Sequence, residues 1–178
     1  GLLSAGGKQR TDSTHVLASV RALNRLELVG RTLQAALDAL AQVAAVWLQT
    51  WVAPEWFTRY GKLLTEFRLP QKKAERDALA IQIGWDGLTL LDKVYHDPTT
   101  PAFVREIPAI ETLRHIWLQQ YVLIEDALRW REREEMPPAA RLLQSPFDHE
   151  ARYSRKRNHE WLGYKVHFTE TCNDDQPH

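Results

Sequence analysis

The stretch KQRTDSTHVLASV, from Lys8 to Val20, decides how the rest of the chain is read. It sets one acidic residue, Asp12, between a basic lead-in and a short run of apolar and β-branched residues. Two readings compete. In the first, Asp12, Ser13 and Thr14 open a helix or a turn, because their side-chain oxygens accept backbone N–H bonds. In the second, THVLASV belongs to a strand, whose rigid backbone would hold a hard carboxylate oxygen toward a divalent cation. The β-branched content suits a strand from Gln9 to Ala18, although Ala18 to Leu23 equally suits the start of a helix. Local spacing by itself favours the cap.

Outward from this stretch the periodicity changes. From about Arg21, residues Leu26, Val29, Leu33, Leu37, Leu40, Ala44, Trp47 and Trp51 recur at steps of three or four and trace one face of a helix, with Gly30 as a candidate interruption. Pro54 then stands where a first-turn proline would, so APEWFTRYGKLL predicts a shorter aromatic helix with a candidate break at Gly61. A second long helix is expected after LPQ, carrying Leu79, Ile83, Leu88, Leu91 and Val94 until HDPTTP stops it. A third is expected from Ile107-Pro108 through Ile110, Leu113, Trp117, Tyr121, Ile124 and Leu128, ending in the charged stretch RWREREE before Met136-Pro137-Pro138. Three such segments pack naturally as a bundle, and core packing accounts for their Trp and Leu stripes.

After Pro138 the character shifts again. QSPFDHEARYSRKRNHEWLGYKVHFTETC gives a loop with Pro and Asp, an Arg/Lys cluster, and then YKVHFTET, whose alternation of aromatic or β-branched with polar residues is the clearest strand signal in the chain. The order is strand, helical block, loop, strand. No internal repeat and no low-complexity tract interrupts it.

Composition bounds the function classes. The 178 residues suit one domain, or one domain with a large insertion, and suffice to bury a core. Lys plus Arg equals Asp plus Glu at 23 each, so no global field draws the chain to nucleic acid or membrane, and any nucleic-acid surface must be local. The single cysteine, Cys172, excludes an internal disulfide framework. No run reaches the roughly 20 apolar residues of a membrane span, and Gly1 to Gly7 lacks the pattern of a signal peptide, so a cytoplasmic protein without a membrane partner is expected. The opening on Gly and the close on TCNDDQPH after a strong strand signal suggest a fragment.

The only dense basic cluster is Arg152, Arg155, Lys156, Arg157 and Lys165, interleaved with Tyr153, Trp161 and Tyr164. Cations there neutralise phosphates and exposed aromatics stack on unpaired bases, which makes a local nucleic-acid surface. The same residues serve equally to protect an exposed strand edge from aggregation. His149, His159, His167, Cys172 and His178 lack zinc-ligand spacing. Asp174 and Asp175 read as a turn, and RWREREE as a solvated helix end with i,i+4 pairs. No Gly-rich phosphate loop or nucleophile elbow occurs.

Two separated segments, KQRTDSTHVLASVRALNRLELVGRTLQAAL and SPFDHEARYSRKRNHEWLGYKVHFTETCNDD, together resemble bacterial insertion-sequence transposases of the DDE class, in the branch with a ribonuclease-H-like transposase domain. The resemblance covers both ends of the chain and leaves Trp47 to Met136 identified only as helix-rich. It implies an α+β, helix-rich fold: a partial ribonuclease-H-like sheet with a large helical insertion between its first and later strands. The expected division is 1–20 for the first strand region, 21–138 for the insertion, and 139–178 for the loop, basic motif and later strand.

The implied chemistry is DNA transposition, in which three acids hold two divalent ions, usually Mg2+, for in-line attack on a phosphodiester. Asp12 in TDSTH matches the first acid and metal ligand of that triad. Arg152, Arg155, Lys156 and Lys165, in the RYSRKR and GYK motifs, match a DNA-backbone surface for the terminal inverted repeats, and a homo-oligomer is compatible with this. The second and third acids are expected beyond His178, and Asp174 and Asp175 lie too close to GYKVHF to serve. The resemblance therefore implies a transposase fragment, truncated at both ends and inactive alone. The alternative is a DNA-binding or oligomerisation remnant without chemistry.

Overall fold

A computed structural model of the chain describes residues 8–17, 24–61, 70, 72–138, 141–147, 152–156 and 159–172, with side-chain surroundings for 24–61, 70, 72–138 and 141–147. The architecture is α+β and helix-rich. Strand β1 spans Lys8–Leu17; five helices follow, α1 Arg25–Val43, α2 Ala45–Gln49, α3 Pro54–Gly61, α4 Lys73–His96 and α5 Pro108–Gln120. A hairpin of β2, Tyr121–Ile124, and β3, Ala127–Trp130, leads on to β4, Arg152–Lys156, and β5, His159–Cys172.

Helix α1 starts where the chemistry of its first turn requires. The Asn24 side chain accepts from the Glu27 backbone N–H at 2.9 Å and the Glu27 carboxylate accepts from the Asn24 N–H at 3.3 Å, a reciprocal capping box. Asp12 is in β1, so the helix-cap reading of that residue does not hold. The helix runs through the buried Gly30 without interruption and ends at Ala44, whose φ of −139° leaves the helical region. The single long helix expected through Trp51 is thus two, and the break lets Trp47 and Leu48 turn inward. Pro54 opens α3, where its missing N–H costs no hydrogen bond.

The core lies where α1, α4 and α5 meet. Leu33 and Leu40 of α1, Ile83 and Leu90 of α4, and Ile110, Leu113 and Ile116 of α5 are fully buried. Each such side chain contributes about 1.5–3 kcal/mol through burial. Two glycines let helix α4 be approached closely, Gly87 by α5 and Gly84 by the hairpin. A Cβ on Gly84 would lie 2.6 Å from Leu128 Cδ2 and 2.8 Å from the Tyr121 ring, and one on Gly87 would fall inside the Trp117 indole. Trp117 Nε1 donates to the Gly84 carbonyl at 2.9 Å, and the Tyr121 hydroxyl to the Ala80 carbonyl at 2.7 Å.

The third helix is shorter than its apolar spacing predicts. It stops at Gln120, and Tyr121, Ile124 and Leu128 belong to the antiparallel hairpin, with Tyr121 opposite Trp130 and Ile124 opposite Ala127. The two-residue loop Glu125-Asp126 has φ of 48° and 63°, the left-handed pair that matches strand twist in a tight hairpin. The charged stretch RWREREE is consequently no helix end: Trp130 closes β3, and a 3₁₀ turn follows over Arg133–Glu135. Tyr121 and Trp130 stack at 4.5 Å, and the Arg25 guanidinium lies 4.4 Å over the Trp130 ring. Arg25 also donates to the Gln120 side-chain oxygen at 2.7 Å and to its carbonyl at 3.1 Å, tying α1 to the base of the hairpin.

The two ends of the chain form one antiparallel sheet, in the order β1-β5-β4. Its longest ladder runs from Lys8 opposite Cys172 to Leu17 opposite Gly163, and β4 adds Arg152 opposite Gly163 through Lys156 opposite His159. The RYSRK part of the basic cluster is therefore a strand. The helices and the hairpin all fall between β1 and β4 in the sequence.

Candidate nucleic-acid interface

Asp12 sits mid-strand in β1, opposite Phe168 of β5. Positions that face each other across a ladder share a face, and successive positions alternate. Register therefore puts Asp12 on one face with Arg10, Phe168, Glu170 and Arg155. Arg152, Lys156 and Lys165 stand on the other face. The structure brings most of the predicted basic residues into one sheet and divides them between its two sides. Arg157, like His149, Asp174, Asp175 and His178, lies outside the described residues.

Sequence reasoning passed over Glu170. It stands opposite Arg10, two positions from Phe168, and so is a diagonal neighbour of Asp12 on the same face. The alternation of HFTETC carried that information, but only the register could bring it beside Asp12.

Compared with protein-family models, with curated proteins and with solved structures, the chain finds no match.

A magnesium ion takes about six oxygen ligands, and one carboxylate supplies at most two. Asp12 and Glu170 together are fewer than the three acids a two-metal centre uses. Among the described residues, no group of three or more His, Cys, Asp or Glu is placed to hold a metal ion.

The helical block has its own charged constellation, which the sequence did not single out. The Asp86 carboxylate, in α4, accepts from the Tyr60 hydroxyl at 2.6 Å, from Gln82 Nε2 at 3.0 Å and from the Arg59 guanidinium. Asp86 is 6% exposed, and these three donors satisfy the oxygens of its buried side chain. Burial, then the bond to Asp86, pushes the Tyr60 phenol far above its ordinary range, so it remains a donor. The available signal was an aspartate on the apolar stripe Ile83, Gly87, Leu90. An acid on a core face needs partners, and Arg59-Tyr60 supplies them from α3.

An open groove of about 850 Å³ runs along α4, lined by Trp85, Leu88, Asp92, Tyr95, Arg114 and Leu123 among others. Its polar groups are paired locally: His96 Nδ1 lies 2.9 Å from the Asp92 carboxylate, and Arg114 pairs with Glu111 at 2.6 Å. The Arg114 hydrogen bonds hold the Glu111 carboxyl below its usual range. A phosphate would have to displace those acids. The groove therefore offers a polyanion little unpaired positive charge.

Proposed function

We propose that this chain is part of a DDE-class DNA transposase with a ribonuclease-H-like core, in which Asp12 is the first metal-binding acid and β4 and β5 carry the DNA-backbone surface. One observation carries the reading. The strand bearing Asp12 pairs directly with the strand of the GYKVHF motif, although the whole helical block separates them in sequence. This supports the reading, because the resemblance sets an inserted helical region between the first strand and the later strands of one sheet. The order β1-β5-β4 also leaves Asp12 on an outer strand of this sheet, where further strands of a larger core would add.

Within this reading, Arg155 shares a face with Asp12 and positions the DNA backbone toward it, while Arg152, Lys156 and Lys165 serve the opposite face. Gly1 to His178 contributes one matched acid of three, so this stretch alone binds transposon-end DNA without cutting it. The experiment is a gel-shift titration with duplex DNA from the flanks of the gene, at several salt concentrations. Binding should weaken steeply with salt, and Arg155→Ala/Lys156→Ala should reduce the slope of log K against log salt by about 2. Absence of binding at low salt would refute the DNA role. Mg2+-dependent cleavage by this stretch, lost in Asp12→Ala, would refute the assignment of an incomplete site.

A further inference from the structure

The register of the β1-β5-β4 sheet sorts its charges by face. The three acids of these strands, Asp12, Glu160 and Glu170, all stand on one face, where Arg10 is opposite Glu170 and Arg155 is opposite Glu160. The other face carries Arg152, Lys156 and Lys165 together with His15, His159 and His167, and among the described residues it carries no carboxylate. On the Asp12 face, Lys8, Arg10 and Arg155 are balanced by the three acids. The second face has three fixed positive charges and gains up to three more when its imidazoles are protonated.

Burying cations without acids costs several kcal/mol each, so a face of this composition stays in water and draws its counter-charge from outside the sheet. Its shape selects the anion. From His159 to His167 the face runs eight residues along β5, about 26 Å at roughly 3.3 Å per residue. A small phosphate compound would meet one or two of these cations, whereas a phosphodiester backbone meets them all and releases its condensed counterions. Trp161 is the single aromatic residue on this face, too little for the stacking platforms that hold unpaired bases, which favours a duplex over a single strand. The charged neighbours of the imidazoles within the sheet are Lys165, opposite His15 and two positions from His167, and Lys156, opposite His159. Each imidazole therefore has a cation and no acid beside it on this face, and the phosphate it would meet supplies the missing partner.

We propose that the face opposite Asp12 grips the phosphate backbone of duplex DNA through Arg152, Lys156 and Lys165, and that His15, His159 and His167 join the grip when protonated. This rests on the DNA reading above and adds to it where the affinity resides and what regulates it. Arg155, on the Asp12 face, positions a strand; the second face supplies the hold. Binding strengthens as pH falls through the imidazole range near about 6.5, because protonation adds positive charge only on this face of the sheet.

The test is a fluorescence-anisotropy titration of the intact 178-residue chain with a labelled duplex of about 20 base pairs, at pH of about 8 and of about 6 and at several salt concentrations. Affinity should rise about tenfold or more at the lower pH, and the slope of log K against log salt should steepen by about 2. His15→Gln/His159→Gln/His167→Gln should flatten the pH profile while keeping the affinity at the higher pH. His15→Lys/His159→Lys/His167→Lys should bind at the higher pH as tightly as the parent does at the lower, a gain that a misfolded chain cannot show. Arg152→Gln/Lys156→Gln/Lys165→Gln should reduce the salt slope by about 3, whereas Arg10→Gln, on the Asp12 face, should leave it unaltered. Binding that ignores pH, or that falls with Arg10→Gln as far as with the triple substitution of Arg152, Lys156 and Lys165, would overturn this proposal and leave the DNA reading standing. Tighter binding of a single-stranded oligonucleotide of the same length would overturn the choice of a duplex. No binding of either at low salt and the lower pH would refute the DNA reading and this proposal together.

Discussion

Gly87→Ala is the sharpest test of the packing between α4 and α5. The added methyl would enter the Trp117 ring, which is 2% exposed and fixed by its bond to the Gly84 carbonyl. A flexible side chain would swing aside, but a buried indole can move only with its helix. Overpacking of this kind costs about 1–3 kcal/mol. Loss of the indole hydrogen bond adds about 1 kcal/mol, and the better helix propensity of Ala returns about 1 kcal/mol. The expected net loss is about 3 kcal/mol, at the upper end because the obstructing group is rigid. Urea unfolding followed by tryptophan fluorescence measures it, with Gly61→Ala as the control, since among the described residues nothing outside its own helix lies within 4 Å of a Cβ there. That control should stay within about 0.5 kcal/mol of the parent. In a Trp117→Leu background, Gly87→Ala should cost little or nothing, so the two losses should not add. A loss below about 0.5 kcal/mol for Gly87→Ala alone would refute the close-approach argument.

Three further outcomes follow from features of the helical block. Asp126→Gly should stabilise the chain by about 1 kcal/mol, because a left-handed φ of 63° strains any residue with a Cβ; an unchanged denaturation midpoint would contradict that. Asp86→Ala should cost about 3 kcal/mol by stranding the Tyr60 hydroxyl and the partly buried Arg59 guanidinium, and a loss below about 1 kcal/mol would show that the constellation adds little. Acid should destabilise the fold in a defined window. Asp97, which accepts from the Thr99 hydroxyl and N–H and from Lys93, is held down to about 2, and Glu135, clamped by Arg129, also to about 2. Depressed carboxyls stabilise above their unfolded values near pH 4 and lose that contribution as pH falls toward 2. Asp97→Asn should therefore flatten the thermal midpoint against pH over that range, and an unaltered profile would exclude Asp97 as a contributor.

Periodicity reached the existence of the long helices but not where two of them end. The stripes of α1, α4 and α5 follow from which face is buried, the strand at β1 from its β-branched residues, and that at β5 from the two-residue period of its side chains. The break at Ala44 had no such signal, because Val43, Ala44 and Ala45 all tolerate a helix and only the packing of Trp47 and Leu48 turns the chain there. The hairpin was hidden for the opposite reason. Tyr121, Ile124 and Leu128 lie at helical intervals, and Glu-Asp is an unusual occupant of a turn that asks for left-handed backbone at both positions. Strand β4 read as a charge cluster because Arg and Lys mask the alternation of RYSRK. For the candidate site, the strand position of Asp12 was accessible from its β-branched neighbours. Its nearness to Glu170 and the partners of Asp86 depend on pairings between distant segments, which no local pattern contains.

The ladder between β1 and β5 has a mechanical consequence. Because Lys8 stands opposite Cys172, the chain enters and leaves this pair at the same end of the sheet. Tension applied through the two ends would load one residue pair at a time, opening the ladder like a zipper from Lys8 toward Leu17 instead of shearing all its hydrogen bonds together. The Asp12 position lies in the first half of that path, so pulling on the ends would separate it from Phe168 before Val16 is released from Tyr164.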